Sequence, residues 1–540
     1  MLKSKRLKDP LYGYIEIEED IMEDIVDTAN FQRLRNIIQT SYSPLYSSAV
    51  HNRFVHSIGV YYLGRLASQS LMETINHIDE KLKLKIIRYI KIFNYACLLH
   101  DVGHAPFSHT GEIFYLNAEG SRDELHNEII RLTNDNNLQN EIHNKNYSAA
   151  PHELMSVVVG LKIYSDLFKN DEEKSFFARC ITGYLYIKSM DQEKSLLNCM
   201  IYLLNSSIID VDKLDYLIRD AFITGFDTVI IDYKRLLSSI KLVKINNMYE
   251  IVYAKGAISV IENVVYAHDA ERKWIQNHPI VQYESYIIKH AIEVINKKYC
   301  KDKIFSYDFL TVTGKEIYYD LKISLLSDPD MIFLMKNLQN DSFIQEYFSR
   351  KNRRHPMWKS ESEYKAFFKN ELFEIVEEEF DELSKYLNNI CKSLEINENA
   401  IKNCEIDILN HEKILVSSLT NRELMEKAIT TKKKHMKWLV CLREYALEQK
   451  LDFDFVIIKA NQFNSGFGKI EFNNIKIEFS GLKKPCCFSD VTNVPKAQKS
   501  DRDKFFYLYY RRRNKYDKID LSVLASKLGK LSIEEKFENM

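Results

Sequence analysis

The chain has 540 residues, 45% of them hydrophobic and 28% charged, with a formal net charge of -1. That balance excludes a disordered chain and a general polyanion binder, and the length suffices for a sizeable core divided into two or more lobes. Nine cysteines without repeated CxxC spacing exclude a complete intramolecular disulfide framework and point to a reducing compartment. MLKSKRLKDPLYGY lacks the apolar run of a signal peptide, and no stretch approaches the roughly 18 continuous apolar residues of a membrane span, so a cytoplasmic protein with no membrane partner is expected.

Only 15 Gly and 9 Pro interrupt the chain, so the expected fold class is mainly α, with a smaller mixed α+β C-terminal lobe. KLKLKIIRYIKIFNYACLL (81–99) has helical apolar spacing and carries His100 and Asp101 at its C-terminal end, where Gly103 and Pro106 release the chain. SLLNCMIYLLNSSIIDVDKLDYLIRDAF (195–222) and ESYIIKHAIEVINKKY (284–299) are the next helical stretches. At about 100° per residue, Asp212, Lys213, Tyr216 and Asp220 share one arc of the helix, while Leu214 and Ile218 point away. Residues 341–440 are rich in charge and helix formers, and EIVEEEFDEL reads as a solvated helical face. Alternation in DFDFVIIKANQF (452–463) and GKIEFNNIKIEF (468–479) predicts strands, with NN as a turn between two arms. The expected division is a core with an N-terminal regulatory segment over 1–340 and a lobe over 341–540.

Three short pieces can build one metal site from four residues: His56 in HNRFVHSIGV, His100 and Asp101 in CLLHDVGHAPFSH, and Asp212 in DVDKLDYLIRD. Neutral imidazoles and carboxylates suit a divalent cation (Mn, Fe, Mg, Co or Zn) that keeps open positions for water and phosphate. A His-Asp dipeptide alone arises by chance, but the constellation predicts metal-assisted phosphate hydrolysis. The same residues, with FQRLRNIIQT and PHELMSVVVG in compatible order, resemble the HD-domain phosphohydrolases, and within them the deoxynucleoside triphosphate triphosphohydrolases, over roughly the first 290 residues.

The resemblance implies that His56, His100, Asp101 and Asp212 hold the cation. It further implies that Arg53 and Lys213 hold the triphosphate, and that Gln39, Tyr216 and Asp220 surround the sugar. His104 and His109 would contact phosphate and orient water, with Glu112, in place of the family's Asp, one helical turn after His109. His152 would transfer a proton to the leaving group, and an imidazole with an ordinary pKa near 6.5 suits that task; His126 is its competitor. Water would attack the α-phosphorus of a nucleoside triphosphate, giving nucleoside and inorganic triphosphate. The tyrosine that walls the sugar in the family has no clean counterpart in NHPIVQYESYII, where Tyr283 is the candidate. Asp27, Gln32 and Arg35 match positions that bind an activating nucleotide between subunits, which implies a homo-oligomer, a dimer or tetramer. Read as structure alone, they are the polar face of an amphipathic helix capped near Asp27.

Two basic clusters remain, SRKNRRHPMWK (349–359) and YLYYRRRNK (507–515). The second interleaves aromatics and arginines, a composition that suits single-stranded nucleic acid, although a solvated patch or a nucleotide or subunit contact fits it better at this net charge. The alternatives to a dNTP triphosphohydrolase are a nuclease or cyclic-nucleotide phosphodiesterase on the same scaffold and a silent nucleotide sensor. Housekeeping and antiphage defence are equally open as roles.

Overall fold

The computed structural model describes residues 4–74, 80–142, 148–188, 190–206, 209–226, 230–300, 303–368, 441–442, 444–452, 454–460, 474–492, 506–512 and 519–528. The chain forms two units, one made of 1–275, 288–339 and 464–498, the other of 276–287, 340–463 and 499–540. Both are built mainly from helices with small sheets. None of the helices among the described residues is long and apolar enough to cross a membrane, and no disulfide joins the described cysteines.

The first unit opens with a hairpin of β1 (Ser4–Asp9) and β2 (Gly13–Glu18). Its site-bearing helices are α1 (Arg53–Thr74), α2 (Glu80–Leu99), α3 (Pro151–Ile163), α4 (Gln192–Leu204) and α5 (Val211–Thr224). α1 packs against both α2 and α5. One close approach dictates a glycine: a Cβ on Gly59 of α1 would lie 1.9 Å from Asp215 Oδ1 and 2.5 Å from Arg219 Nη2 of α5. Those two side chains are buried and paired, so they have little room to yield.

The sequence reading of one helical stretch over 195–222 is corrected to two helices. Asn205 takes an extended conformation, and Asp210 then caps α5 by accepting the Lys213 N–H at 2.7 Å. A four-stranded sheet also forms, and its first two strands lie where no strand was expected. β3 (Ile240–Ile245) and β4 (Met248–Ala254) form a hairpin through Asn246 and Asn247, both with positive φ, as a two-residue turn of primed type requires. β4 continues parallel to β5 (Lys476–Glu478), which pairs with β6 (Cys486–Cys487). β5 falls in the expected arm NNIKIEF, whereas the arm at 468–472 and EIVEEEFDEL lie outside the described residues. The unit ends its site-bearing elements with α6 (Asp328–Lys336).

The second unit contains a three-stranded antiparallel sheet in which Phe506–Tyr510 lies between His355–Pro356 and the expected strand Phe455–Lys459. Its core gathers Trp358, Tyr445, Phe455, Tyr507 and Tyr509. This corrects the reading of the two basic clusters. All five residues of Phe506–Tyr510 are buried, so these aromatics form no stacking platform for nucleic acid. Arg353 is buried against Glu284 at 2.6 Å. Arg354 is buried between Glu346 and Asp454, and Arg511 reaches the same two carboxylates. Tyr283 is corrected too: its hydroxyl donates to Glu346 at 2.7 Å and its ring stacks on Tyr509, so it is committed to this core.

Replacing Arg354 with Met should destabilise the protein by about 3 kcal/mol in urea denaturation, because two carboxylates lose a buried cation. A change under about 0.5 kcal/mol would mean that Arg511 alone satisfies them.

Candidate metal centre and imidazole relay

His56 on α1, His100 and Asp101 just past α2, and Asp212 on the first turn of α5 converge. His56 Nε2 lies 3.3 Å from His100 Nε2, 3.0 Å from Asp212 Oδ1 and 3.6 Å from Asp101 Oδ2. His100 Nε2 lies 3.5 Å from Asp101 Oδ1 and 3.6 Å from Asp212 Oδ1. The far side of each ring fixes its tautomer. His56 Nδ1–H donates to Asp215 Oδ2 at 2.8 Å, and His100 Nδ1–H donates to the Cys97 carbonyl at 2.9 Å. Each Nε2 therefore turns a lone pair toward the other and toward two carboxylates, and only positive charge between them reconciles the four groups. Burial alone would lower the His56 pKa, yet hydrogen bonding to Asp212 and Asp215 raises it to about 9. A proton on His56 supplies that charge when no metal is bound, and two imidazoles with two carboxylates fit a divalent cation in its place.

Asp215, three residues after Asp212, was not singled out in the sequence. It accepts two N–H groups from Arg219, each at 2.9 Å, and the Tyr12 hydroxyl at 2.8 Å, while Arg219 also pairs with Asp9 at 3.0 Å. Burial opposes its ionisation, but Arg219 and His56 hold its carboxyl down at about 2. The signal available in the sequence was a carboxylate on the apolar side of α5 with an arginine four residues on.

Arg53 is buried, and three of its five N–H donors are committed: to Asp101 Oδ2 at 2.8 Å, Ser108 Oγ at 3.0 Å and the Gln39 carbonyl at 3.2 Å. It therefore orients a ligand. Against the cost of burial, Arg53, His100 and His104 keep the Asp101 carboxyl well below its ordinary range. Lys213 Nζ donates to the Ser206 carbonyl at 2.6 Å and to Asp210 Oδ2. Gln39, Tyr216 and Asp220 sit in the same unit. Asp220 is buried with its Oδ1 2.7 Å from His51 Nε2, and the Gln39 N–H donates to the His51 carbonyl at 2.9 Å. His51, also missed in the sequence, thus ties Gln39 to Asp220. Gln39 Oε1 and His51 Nδ1 are buried without a hydrogen-bond partner among the described residues.

The second constellation is His104, His109, Glu112 and His152, whose ligand atoms lie within 4.8 Å of one another. Glu112 Oε1 accepts from His109 Nδ1 at 3.0 Å, and Oε2 accepts from His152 Nδ1. Those ring protons point at the carboxylate, which favours a proton relay over a second metal site. The longer Glu in place of Asp spans both imidazoles. His104 stacks on His152 with ring centroids 4.1 Å apart. Burial lowers the pKa of both rings, but Glu112 lifts His152 to about 9, whereas Arg53 and His152 push His104 further below its ordinary value. His152 is thus protonated beside a neutral His104, which corrects the expectation of an ordinary imidazole. His126 lies elsewhere, with its Nε2 3.3 Å from the Tyr184 hydroxyl.

Asp27, Gln32 and Arg35 are not on one helix capped near Asp27. A π-helical turn (Met22–Val26) is followed by a short helix (Ala29–Gln32) capped by Thr28 and a 3-10 turn (Arg33–Asn36). Asp27 meets Lys5 at 3.4 Å, Arg35 Nε donates to Gln32 Oε1 at 2.7 Å, and the Arg35 guanidinium lies 3.6 Å from the Phe54 ring centre.

No family model matches the chain. It is 31% identical over 265 residues to the uncharacterized protein MG461 homolog of Mycoplasma pneumoniae, covering 47% of this chain and 52% of that protein. It is 30% identical over 275 residues to the deoxynucleoside triphosphate triphosphohydrolase SAMHD1 homolog of Dictyostelium discoideum, covering 49% and 46%. The chain spans about half the length of the curated relatives it matches. Among solved structures, a hypothetical protein from Aquifex aeolicus shares the fold, with a TM-score of 0.54, 17% identity and coverage of 98% of this chain and 100% of that one.

Asp215→Asn should weaken divalent metal binding about 10–100-fold in a competition titration with a chelating dye, because His56 loses the carboxylate that orients it. Unchanged affinity would refute that role.

Proposed function

We propose that this chain is an HD-domain phosphohydrolase that converts deoxynucleoside triphosphates to deoxynucleoside and inorganic triphosphate. The observation carrying this reading is a pocket of two imidazoles and two carboxylates able to hold a divalent cation beside a protonated imidazole held by Glu112. Relatives named as deoxynucleoside triphosphate triphosphohydrolases support the choice of substrate. A divalent cation held by His56, His100, Asp101 and Asp212 would supply Lewis acidity toward a phosphoryl oxygen and acidify a nearby water. Lys213 has a third N–H, and Arg53 two more, to place on phosphate oxygens.

In the reaction a water oxygen bonds to the α-phosphorus, the bond from phosphorus to the sugar 5′-oxygen breaks, and His152 delivers its proton to that departing oxygen. Glu112 holds the donor ring and its charge, while neutral His104 and exposed His109 face the same space and orient the phosphates and water. Gln39 and Asp220, joined through His51, read the sugar together with Tyr216, with the unpartnered Gln39 Oε1 and His51 Nδ1 as its contacts. Asp27, Gln32 and Arg35 form a nucleotide-responsive patch at a subunit contact of a homo-oligomer.

With Mn or Mg and each dNTP, singly and mixed, chromatography should show deoxynucleoside plus triphosphate, lost in Asp212→Ala. Deoxynucleoside monophosphate plus pyrophosphate would contradict the reading, as would turnover of oligonucleotides or cyclic dinucleotides alone. Because the folded pKa of His152 is raised, its proton is held until pH rises through about 9. The high-pH limb of kcat should fall near there and move downward in Glu112→Gln; a limb that stays in place would exclude His152 as the donor.

A further inference from the structure

Asp328, the first residue of α6, lies 116 positions beyond the last metal ligand and in none of the sequence motifs. It is 2% exposed, and it spends its carboxylate on the backbone of two site-bearing segments. Oδ2 accepts the Ile38 N–H at 2.9 Å and Oδ1 accepts the Phe107 N–H at 2.7 Å. Ile38 bridges to Asn52 at the start of α1, one residue before Arg53. Phe107 and Ser108 have φ of 61° and 52°, a left-handed region that disfavours side chains and persists only where surroundings enforce it. This strained turn links His104 to His109. Its Ser108 hydroxyl donates to the Ile38 carbonyl at 2.5 Å and accepts from Arg53 Nε at 3.0 Å. Arg33 reinforces the junction from the other side. Its guanidinium donates to the carbonyls of Val102 (2.8 Å), His104 (2.9 Å) and Leu326 (2.7 Å), and Leu326 stands two positions before Asp328.

We propose that Asp328 is a positioning residue that holds the strained Phe107–Ser108 turn against the Ile38 segment, thereby fixing Arg53, His104 and His109 for chemistry. A carboxylate offers an acceptor to each N–H, whereas an amide of the same shape must turn an NH2 toward one of them. Asp328→Asn therefore releases one of the two segments. Ser327→Ala is the matched control: it breaks the capping contact of Ser327 Oγ with Asp330 (2.8 Å) on the same helix but leaves both Asp328 contacts in place.

The activity readout rests on the proposed function, so the test pairs it with one that does not. In Asp328→Asn, amide exchange of the peptide spanning 104–110 should accelerate at least tenfold, while bound metal per chain stays at the wild-type value. Triphosphate release should lose roughly 10–100-fold in kcat, with KM changed far less, since a displacement of about 1 Å at reacting groups costs this much. Ser327→Ala should show neither effect. Unaltered exchange over 104–110 in Asp328→Asn, or an equal loss of kcat in Ser327→Ala, would overturn the proposal. If the wild type turns over no dNTP while Asp328→Asn still accelerates exchange, the function fails and the positioning role stands.

Discussion

Two imidazole nitrogens 3.3 Å apart, flanked by buried Asp101 and half-buried Asp212, require positive charge between them. A buried cluster of this kind is costly unless its donors are paired, and the pairing organises much of the first unit. Asp215 holds His56, Arg219 holds Asp215, and Asp9 and Tyr12 of the N-terminal hairpin hold both. Gly59 lets α5 come close enough for that chain to close. Arg53 extends the charge balance to Asp101 and from there to the turn after it.

The neighbouring imidazoles solve a different electrostatic problem. His104 and His152 stack face to face, and two like charges at that separation would repel. Glu112 resolves the pair by charging His152 and leaving His104 neutral. One ring then serves as a proton donor while the other remains an acceptor, without any difference in residue type. Such a division comes from where Glu112 reaches and which face of His104 meets Arg53.

What the sequence disclosed was local. The helical spacing of 81–99 and the glycine and proline after it already placed His100 and Asp101 at a helix end. Asp212, Lys213, Tyr216 and Asp220 shared a face because one period governs them. What it hid was the long-range pairing of charges. Asp328 contacts residues 221 and 290 positions away, and His51 meets Asp220 across 169. The arginines near 354 and 511 looked like exposed patches because Asp454 lies 100 positions from Arg354 and Glu346 lies 165 from Arg511. The break after Asn205 and the hairpin at Asn246 and Asn247 had local signals in Asp210 and the Asn pair, but apolar periodicity on either side masked them.

The most direct test of the account is the fate of solvent oxygen during turnover of a dNTP in 18O-labelled water. Attack at the α-phosphorus with a proton passed to the sugar oxygen predicts one labelled oxygen in each inorganic triphosphate and none in the deoxynucleoside. Label in the 5′-hydroxyl of the deoxynucleoside, or in a nucleoside monophosphate, would contradict it.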